Sequence, residues 1–259
     1  MISSLLGVKI RHAKNNLPVL KNSEIDAHAE ALLRRYNPKL LSEPQEVDVE
    51  EFVEFYLRAN LHYMNLSSNG MIWGRTVFED TVAIVYNKET NEPTQELIKA
   101  GTIVVDNRLA EDARKEHAFR STVAHEGGHF LYHGDYYHFY YIQHFVNKNQ
   151  LSFDFPEDKQ EFTGCSTFCN SDGITGGTTD KRNFTTDIEW LEHHAKHFSA
   201  AILMPESAVY MLMSEFHEKA EIMMAMSDIF NVSMESAQIR FDYLTEKQRQ
   251  KSRIYTFDY

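Results

Sequence analysis

Apolar residues recur every three or four positions over several stretches of this chain, which is the spacing of one face of an α-helix. Near the N-terminus the pattern predicts a helix over residues 23–36, ended by Asn37 and Pro38, and a second helix from Pro44 to about residue 61. The same period returns after Thr186 and predicts further helices over residues 187–204, 205–216, 218–230 and 233–250. Both ends of the chain are therefore predicted to be helical.

The middle of the chain has a different pattern. Residues 71–78, 81–86 and 102–105 are short segments with many β-branched side chains, bounded by Gly, Asn and Asp, and they predict three strands. The next stretch, from residue 111 to about 133, predicts one long helix. The expected class is α+β: a mostly helical domain with a small three-stranded sheet packed on that long helix, followed by C-terminal helices.

These patterns divide the chain into three predicted parts. Residues 1–65 form an N-terminal helical segment, residues 66–205 a central domain, and residues 206–259 a C-terminal helical segment. Within the second part, residues 134–185 predict a long loop insertion that opens with aromatic residues and closes with glycines. So long a connection inside a compact domain is usually functional or mobile.

Composition and charge restrict the classes of function that we expect for the chain. With 259 residues and 42% apolar content, the chain can build a proper core. A net charge of -12 argues against direct binding of nucleic acid, which needs a basic face. Neither a long apolar run nor a signal peptide is visible, so we expect no membrane segment and a cytoplasmic protein. Cys165 and Cys169 lack zinc-ribbon spacing and are expected to be reduced thiols in the loop.

The predicted long helix contains the motif HExxH, as His125-Glu126-Gly127-Gly128-His129. Residues four apart lie on one face of a helix, so His125 and His129 can bind one metal ion together. Glu126 is placed to act on a water bound to that metal instead of binding the metal itself. The motif therefore predicts a zinc hydrolase, in most cases a peptidase, with Zn²⁺ as its cofactor. On this interpretation residues 66–205 are a zincin-like catalytic domain.

A catalytic zinc takes three protein ligands and leaves one position open. The metzincin extension of the motif requires Gly at position 132 and His at 135, and this chain has Tyr132 and Asp135, so that class is excluded. The aspzincin pattern GTxxD is met only with Asp180 one residue early. The gluzincin pattern takes a Glu from a later helix, and Glu192 is the strongest candidate. The alternatives for the third ligand are Asp180, Glu189, His193 and His194.

Small residues predict how the two helices meet. Ala195 and Ser199 share a stripe of the later helix with Glu192 and would let it approach the motif helix closely. Gly127 and Gly128 each cost a helix about 1 kcal/mol relative to alanine. A tight contact with a neighbouring element would account for them.

Here the sequence resembles a known family. The motif HEGGHFLYH at residues 125–133, the segment ExxAxxFSAxILMP at 192–205 and the segment FNVSMESAQIRFDYL at 230–244 are similar to the ImmA/IrrE family of metallopeptidases. The resemblance covers roughly residues 100 to 245, and Lys196 stands where the family has Asn or Asp. It implies that His125, His129 and Glu192 are the zinc ligands and that Glu126 is the general base. It also implies a protein substrate: a DNA-binding helix-turn-helix repressor, often encoded on a mobile element.

Two further questions stay open from the sequence. The alternative function is a zinc-containing regulatory module that binds a repressor or toxin partner without cutting it, although Glu126 favours an enzyme. The residue that would stabilise the developing oxyanion is not fixed. The candidates by residue type are His133, Tyr136, Tyr137, His138, His193 and His194.

Overall fold

The computed structural model of the chain describes residue 7 and residues 9–143, 169–170, 184 and 186–255. Its helices are α1 (Asn22–Tyr36), α2 (Val49–Glu51, continued by a π-helical turn over Phe52–Tyr56), α3 (Asn107–Ala110), α4 (Glu116–Tyr132), α5 (Gly134–Tyr141), α6 (Asp187–Leu203), α7 (Glu206–Glu215), α8 (Lys219–Phe230) and α9 (Met234–Tyr255), with short 3-10 turns at Pro38–Leu41 and Ala113–Lys115. Its strands are β1 (Arg11–His12), β2 (Pro18–Val19), β3 (Asn60–Met64), β4 (Ile72–Val77), β5 (Thr81–Tyr86), β6 (Pro93–Ile98), β7 (Thr102–Asp106) and β8 (Cys169–Asn170). The predicted α+β class is confirmed.

The main sheet has the order β3-β7-β4-β8. Strand β3 runs parallel to β7, and β4 runs antiparallel to both β7 and β8. Strand β7 is buried along its whole length, and helix α4 packs against β7 and β4. The motif helix therefore lies directly on this sheet, as the sequence predicted.

The membership of the sheet differs from the prediction. Two predicted strands, now β4 and β7, belong to it, but the third, β5, forms a separate antiparallel hairpin with β6. Strand β6 escapes sequence analysis because five of its six residues are exposed, so it shows no apolar alternation. Within the described residues the sheet is completed by β3 and by the two-residue strand β8. The prediction of one three-stranded sheet was wrong in this respect.

Strand β3 replaces the end of a predicted helix. The helical pattern was expected to continue to about residue 61, but the helix ends at Tyr56, and Arg58 has a left-handed φ of 63°. The chain then pairs with β7, with Asn60 opposite Thr102. Pairing with a buried strand overrides the helical period here, since strand formation depends strongly on tertiary context.

The predicted loop insertion also begins differently. Residues 134–141 form helix α5, and its side chains Tyr136 and Tyr137 are buried. Tyr137 stacks on Phe78, which follows β4, with ring centroids 4.8 Å apart. Residues 144–168, 171–183 and 185, among them Cys165 and Asp180, lie outside the described residues. Cys169 belongs to β8 and not to a loop.

One apolar core joins elements from the N-terminal, middle and C-terminal parts of the chain. It contains Leu32 of α1, Ile103 of β7, Phe198 of α6 and Phe230 of α8, all fully buried. None of the helices in the described part of the chain has both the length and the apolar character that crossing a bilayer requires.

A buried carboxylate connects three helices beside that core. Asp26 of α1 is 1% exposed and accepts hydrogen bonds from the side chains of His197, Arg240, Tyr243 and Lys247, at 2.6 to 3.0 Å. The donors belong to α6 and α9. The pKa of Asp26 is held far below its usual 3.8: burial alone would raise it, but Arg240 and His197 outweigh that effect. Asp26 is therefore ionised and fixes α9 against α1 and α6.

Candidate metal centre

The motif lies in the interior of the protein. Helix α4 runs between the sheet and helix α6, and His125, Glu126 and His129 are 3%, 0% and 0% exposed. Helix α6 begins at a capping box, in which the hydroxyl of Thr186 accepts from the backbone N–H of Glu189 and the Glu189 carboxylate accepts from the backbone N–H of Thr186. This cap fixes the start of the helix that carries Glu192.

The two glycines of the motif have different neighbours. A Cβ on Gly128 would stand 3.1 Å from Cα of Ala195, so the backbones of α4 and α6 are in direct contact there. A Cβ on Gly127 would meet a different element, at 3.1 Å from the Cγ2 methyl of Val53. The close approach predicted for Ala195 is confirmed, and the contact brings Glu192 beside the two histidines.

The side chains of His125, His129 and Glu192 meet at one point. Nε2 of His125 lies 3.0 Å from Nε2 of His129, and the Glu192 oxygens lie 3.4 Å and 3.3 Å from these two nitrogens. Zinc–ligand distances of about 2.0–2.1 Å in a tetrahedral site put neighbouring ligand atoms about 3.3 Å apart. Two imidazoles and one carboxylate at this spacing can therefore hold one metal ion.

Glu192 and His125 each stabilise the charged form of the other side chain. Burial alone would raise the pKa of Glu192, but His129 and His125 outweigh it and hold the pKa well below 4.5. Burial alone would lower the pKa of His125, yet the hydrogen bond that His125 donates to Glu192 leaves that pKa above 6.5. Glu192 is thus a carboxylate at neutral pH. A cation that binds here must compete with protons for His125.

His133 contacts the ring nitrogen of His129 that faces away from the other metal ligands. It is fully buried, and its Nδ1 lies 2.8 Å from Nδ1 of His129. A histidine that bonds one nitrogen to a neighbour is fixed with the other facing the metal, which is how such ligands are commonly oriented. Burial, followed by the charges of His129 and His194, lowers the pKa of His133 well below 6.5, so the ring is neutral.

Glu126 lies against strand β4. The hydroxyl of Thr76 donates to its Oε2 at 2.6 Å, and a Cβ on Gly74 would stand 2.9 Å from its Oε1. Gly74 and Thr76 are two apart, so they share one face of the strand. The strand thus holds the carboxylate in one orientation and leaves just enough room for it.

The rival third ligands are placed elsewhere. Glu189 is used in the cap of α6. His193 bonds through Nε2 to Asn22, at 2.7 Å. His194 is fully buried with its ring 5.8 Å from that of His133, and burial, then His193, lowers its pKa to about 3. The fourth rival, Asp180, lies outside the described residues.

The residues considered for stabilising the oxyanion also differ in their contacts. Tyr136 donates to Asp187 at 3.2 Å, and His138 bonds to Glu79 at the surface. Tyr137 is buried, and its pKa is raised well above 10, first by burial and then by the nearby charge of Glu192. Tyr136 and His138 thus bond to acidic side chains, whereas the ring of Tyr137 stacks on Phe78.

Sequence reasoning missed Thr76 altogether. Its strand was predicted, but a threonine in a strand is common, and nothing in its spacing marks a contact with Glu126, 50 positions later.

No protein-family model and no curated protein matches the chain. Its function therefore has to be inferred from its own residues.

Proposed function

We propose that the protein is a zinc-dependent endopeptidase with a zincin-like catalytic domain of the ImmA/IrrE type. The observation that carries the proposal is the meeting of His125, His129 and Glu192 at ligand spacing. Two imidazole nitrogens and one carboxylate suit zinc and leave a position for water, whereas structural zinc sites use four protein ligands. The adjacent Glu126 fits a hydrolytic site.

The roles of the residues follow from this arrangement. When bound, zinc would act as a Lewis acid, lowering the pKa of a coordinated water and polarising a peptide carbonyl. Glu126 would take the proton of the attacking water and return it to the leaving amine. Thr76 keeps the Glu126 carboxylate oriented for both transfers. His133 holds the ring of His129.

The proposed substrate is a helix-turn-helix repressor. This part of the proposal is supported by the three sequence segments similar to ImmA/IrrE peptidases. An extended substrate would pair with an edge of the main sheet by strand addition, because the motif helix lies directly beneath that sheet.

The complete burial of Glu126 favours a second candidate. A general base has to reach water and substrate, and Glu126 is 0% exposed. The second candidate is a zinc-containing module that binds a repressor or toxin partner without cutting it. In that case Glu126 would only pack against Gly74 and Thr76, and its replacement would leave function intact.

The test combines metal content with hydrolysis. Wild type should carry about one zinc per chain and cut a fluorescent casein substrate. His125→Ala and Glu192→Ala should lose both the zinc and the activity, whereas Glu126→Gln should keep the zinc and lose activity by at least about 100-fold. Zinc that is unaffected by Glu192→Ala would contradict the proposed ligand set. Zinc without hydrolysis in any variant would favour the second candidate.

A further inference from the structure

A small pocket opens beside His125, between helices α4 and α6, and is closed by the start of α9. Its volume is about 50 Å³, several times the roughly 10–15 Å³ that one water molecule needs. The side chains of Leu203, Met204, Val232 and Ile239 form apolar walls. Since His125 belongs to both the pocket and the metal centre, a group held here would lie next to the scissile bond.

Lys196 brings a positive charge into this pocket. It follows Glu192 by four positions, so it lies one turn further along the same face of α6. Its side chain is partly buried, and its charge is close enough to act against protonation of His125. Lys196 therefore lines the pocket together with the metal ligand His125.

The charge of Lys196 is not compensated by its surroundings. Across the described ranges, its ammonium takes part in no hydrogen bond or ion pair, and no carboxylate lines the pocket. Several exposed lysines do have such a partner: Lys88, Lys99 and Lys219 each pair with an acidic side chain. A partly buried cation without a counter-ion is stabilised by an anion that enters from outside.

We infer that the pocket is an anion subsite in which Lys196 binds a carboxylate of the peptide substrate. This inference rests on the proposed function and adds to it a substrate preference. The apolar walls suit the methylene groups of a glutamate side chain, and the ammonium suits its carboxylate. The free carboxylate at the end of a peptide has the same chemistry. The experiment therefore separates the two sources.

The first measurement is the cleavage of matched peptides. Wild type should cut a peptide with Glu at one fixed subsite about 10- to 100-fold better, in kcat/KM, than the same peptide with Gln, which is the range of one charge-assisted hydrogen bond. Lys196→Met should remove the preference, and Lys196→Glu should shift it toward Lys. If the bound carboxylate is the C-terminus of the peptide, amidation of that terminus should lower kcat/KM, and the change from Glu to Gln should not.

Two controls belong to this measurement. Lys39→Met removes an exposed lysine of the 3-10 turn Pro38–Leu41, which does not line the pocket. This variant should keep the wild-type preference. Lys196→Met should also keep the full zinc content. Loss of zinc in that variant would show that Lys196 acts by positioning His125, and equal cleavage of Glu and Gln peptides by wild type would overturn the anion subsite.

A second measurement does not depend on peptidase activity. In calorimetry, the protein as isolated should bind glutarate about tenfold more tightly than Lys196→Met does, and the uncharged glutaramide should not distinguish the two proteins. A carboxylate that binds only to the metal would bind equally to both, and the inference would fail. A Lys196-dependent affinity without hydrolysis would retain the anion subsite while the proposed peptidase function failed.

Discussion

Gly128 of helix α4 and Ala195 of helix α6 are in backbone contact, so that a Cβ at position 128 would stand 3.1 Å from Cα of Ala195. This contact sets the distance between the helix with the two histidines and the helix with Glu192. The spacing of the metal ligands thus depends on a residue that has no side chain.

Gly128→Ala should destabilise the protein and weaken zinc binding. Alanine gains about 1 kcal/mol of helix propensity, but overpacking against a backbone costs about 1–3 kcal/mol, so the loss should prevail. Urea unfolding and a zinc-chelator competition would measure the two effects. Gly127→Ala is the matched control, because its new methyl meets the side chains of Val53 and Leu57 and no backbone atom. A Gly128→Ala protein as stable as Gly127→Ala would argue against the tight contact.

Thr76→Val should reduce hydrolysis without loss of zinc. The change removes the hydrogen bond to Glu126 and keeps the shape of the side chain. Replacing such a supporting group typically costs about 10- to 100-fold in activity. Thr76→Ser keeps the hydroxyl and should stay near wild type. Steady-state kinetics would decide, and full activity in Thr76→Val would mean that Glu126 does not need this bond.

His133→Phe should weaken zinc binding by about 10- to 100-fold, because Nδ1 of His129 loses its partner. The measurement is chelator competition at neutral pH. His138→Gln offers a comparison, since His138 is a surface histidine bonded to Glu79. An affinity that is unchanged in His133→Phe and in His138→Gln alike would leave His133 without a role in the metal centre.

His194 should make stability depend on pH. Its folded pKa is about 3, below the usual 6.5, so at pH values below 6.5 the unfolded chain binds a proton that the folded protein does not. The free energy of unfolding should therefore fall from about pH 6.5 toward pH 3, by at most about 1.4 kcal/mol per pH unit for this one group. The wild type should show a steeper fall than His194→Leu.

Urea unfolding of both proteins at several pH values, in the presence of chelator, would test this dependence. The chelator removes the contribution of metal release from both curves. Parallel curves for wild type and His194→Leu would contradict the neutral, buried state of the ring.

Asp26→Asn should lower the free energy of unfolding by about 3–5 kcal/mol, because it leaves buried cations such as Arg240 without their counter-ion. Asp242→Asn removes one side of an exposed pair with Lys219 and should cost less than about 1 kcal/mol. Urea unfolding at neutral pH would compare them. Similar losses in the two variants would show that Asp26 is not the connecting group of α1, α6 and α9.

The sequence by itself determined the parts of this protein whose signal is local. The helical period and the capping residues predicted α1, α4 and the helices from α6 onward, because these depend on residues three or four positions apart. The same spacing indicated His125 and His129 as a pair on one helix face. The small residues Gly128 and Ala195 predicted the close approach that the structure has.

The tertiary structure alone decided what depends on residues far apart in the chain. Strand β3 exists because β7 offers it a buried edge, although its own residues continue a helical pattern. Thr76 reaches Glu126 only once β4 lies on α4, and Lys196 lines a pocket only once α6 and α9 are packed. Local periodicity reports which face of an element is buried, but the partners across that face follow from the packing of the whole chain.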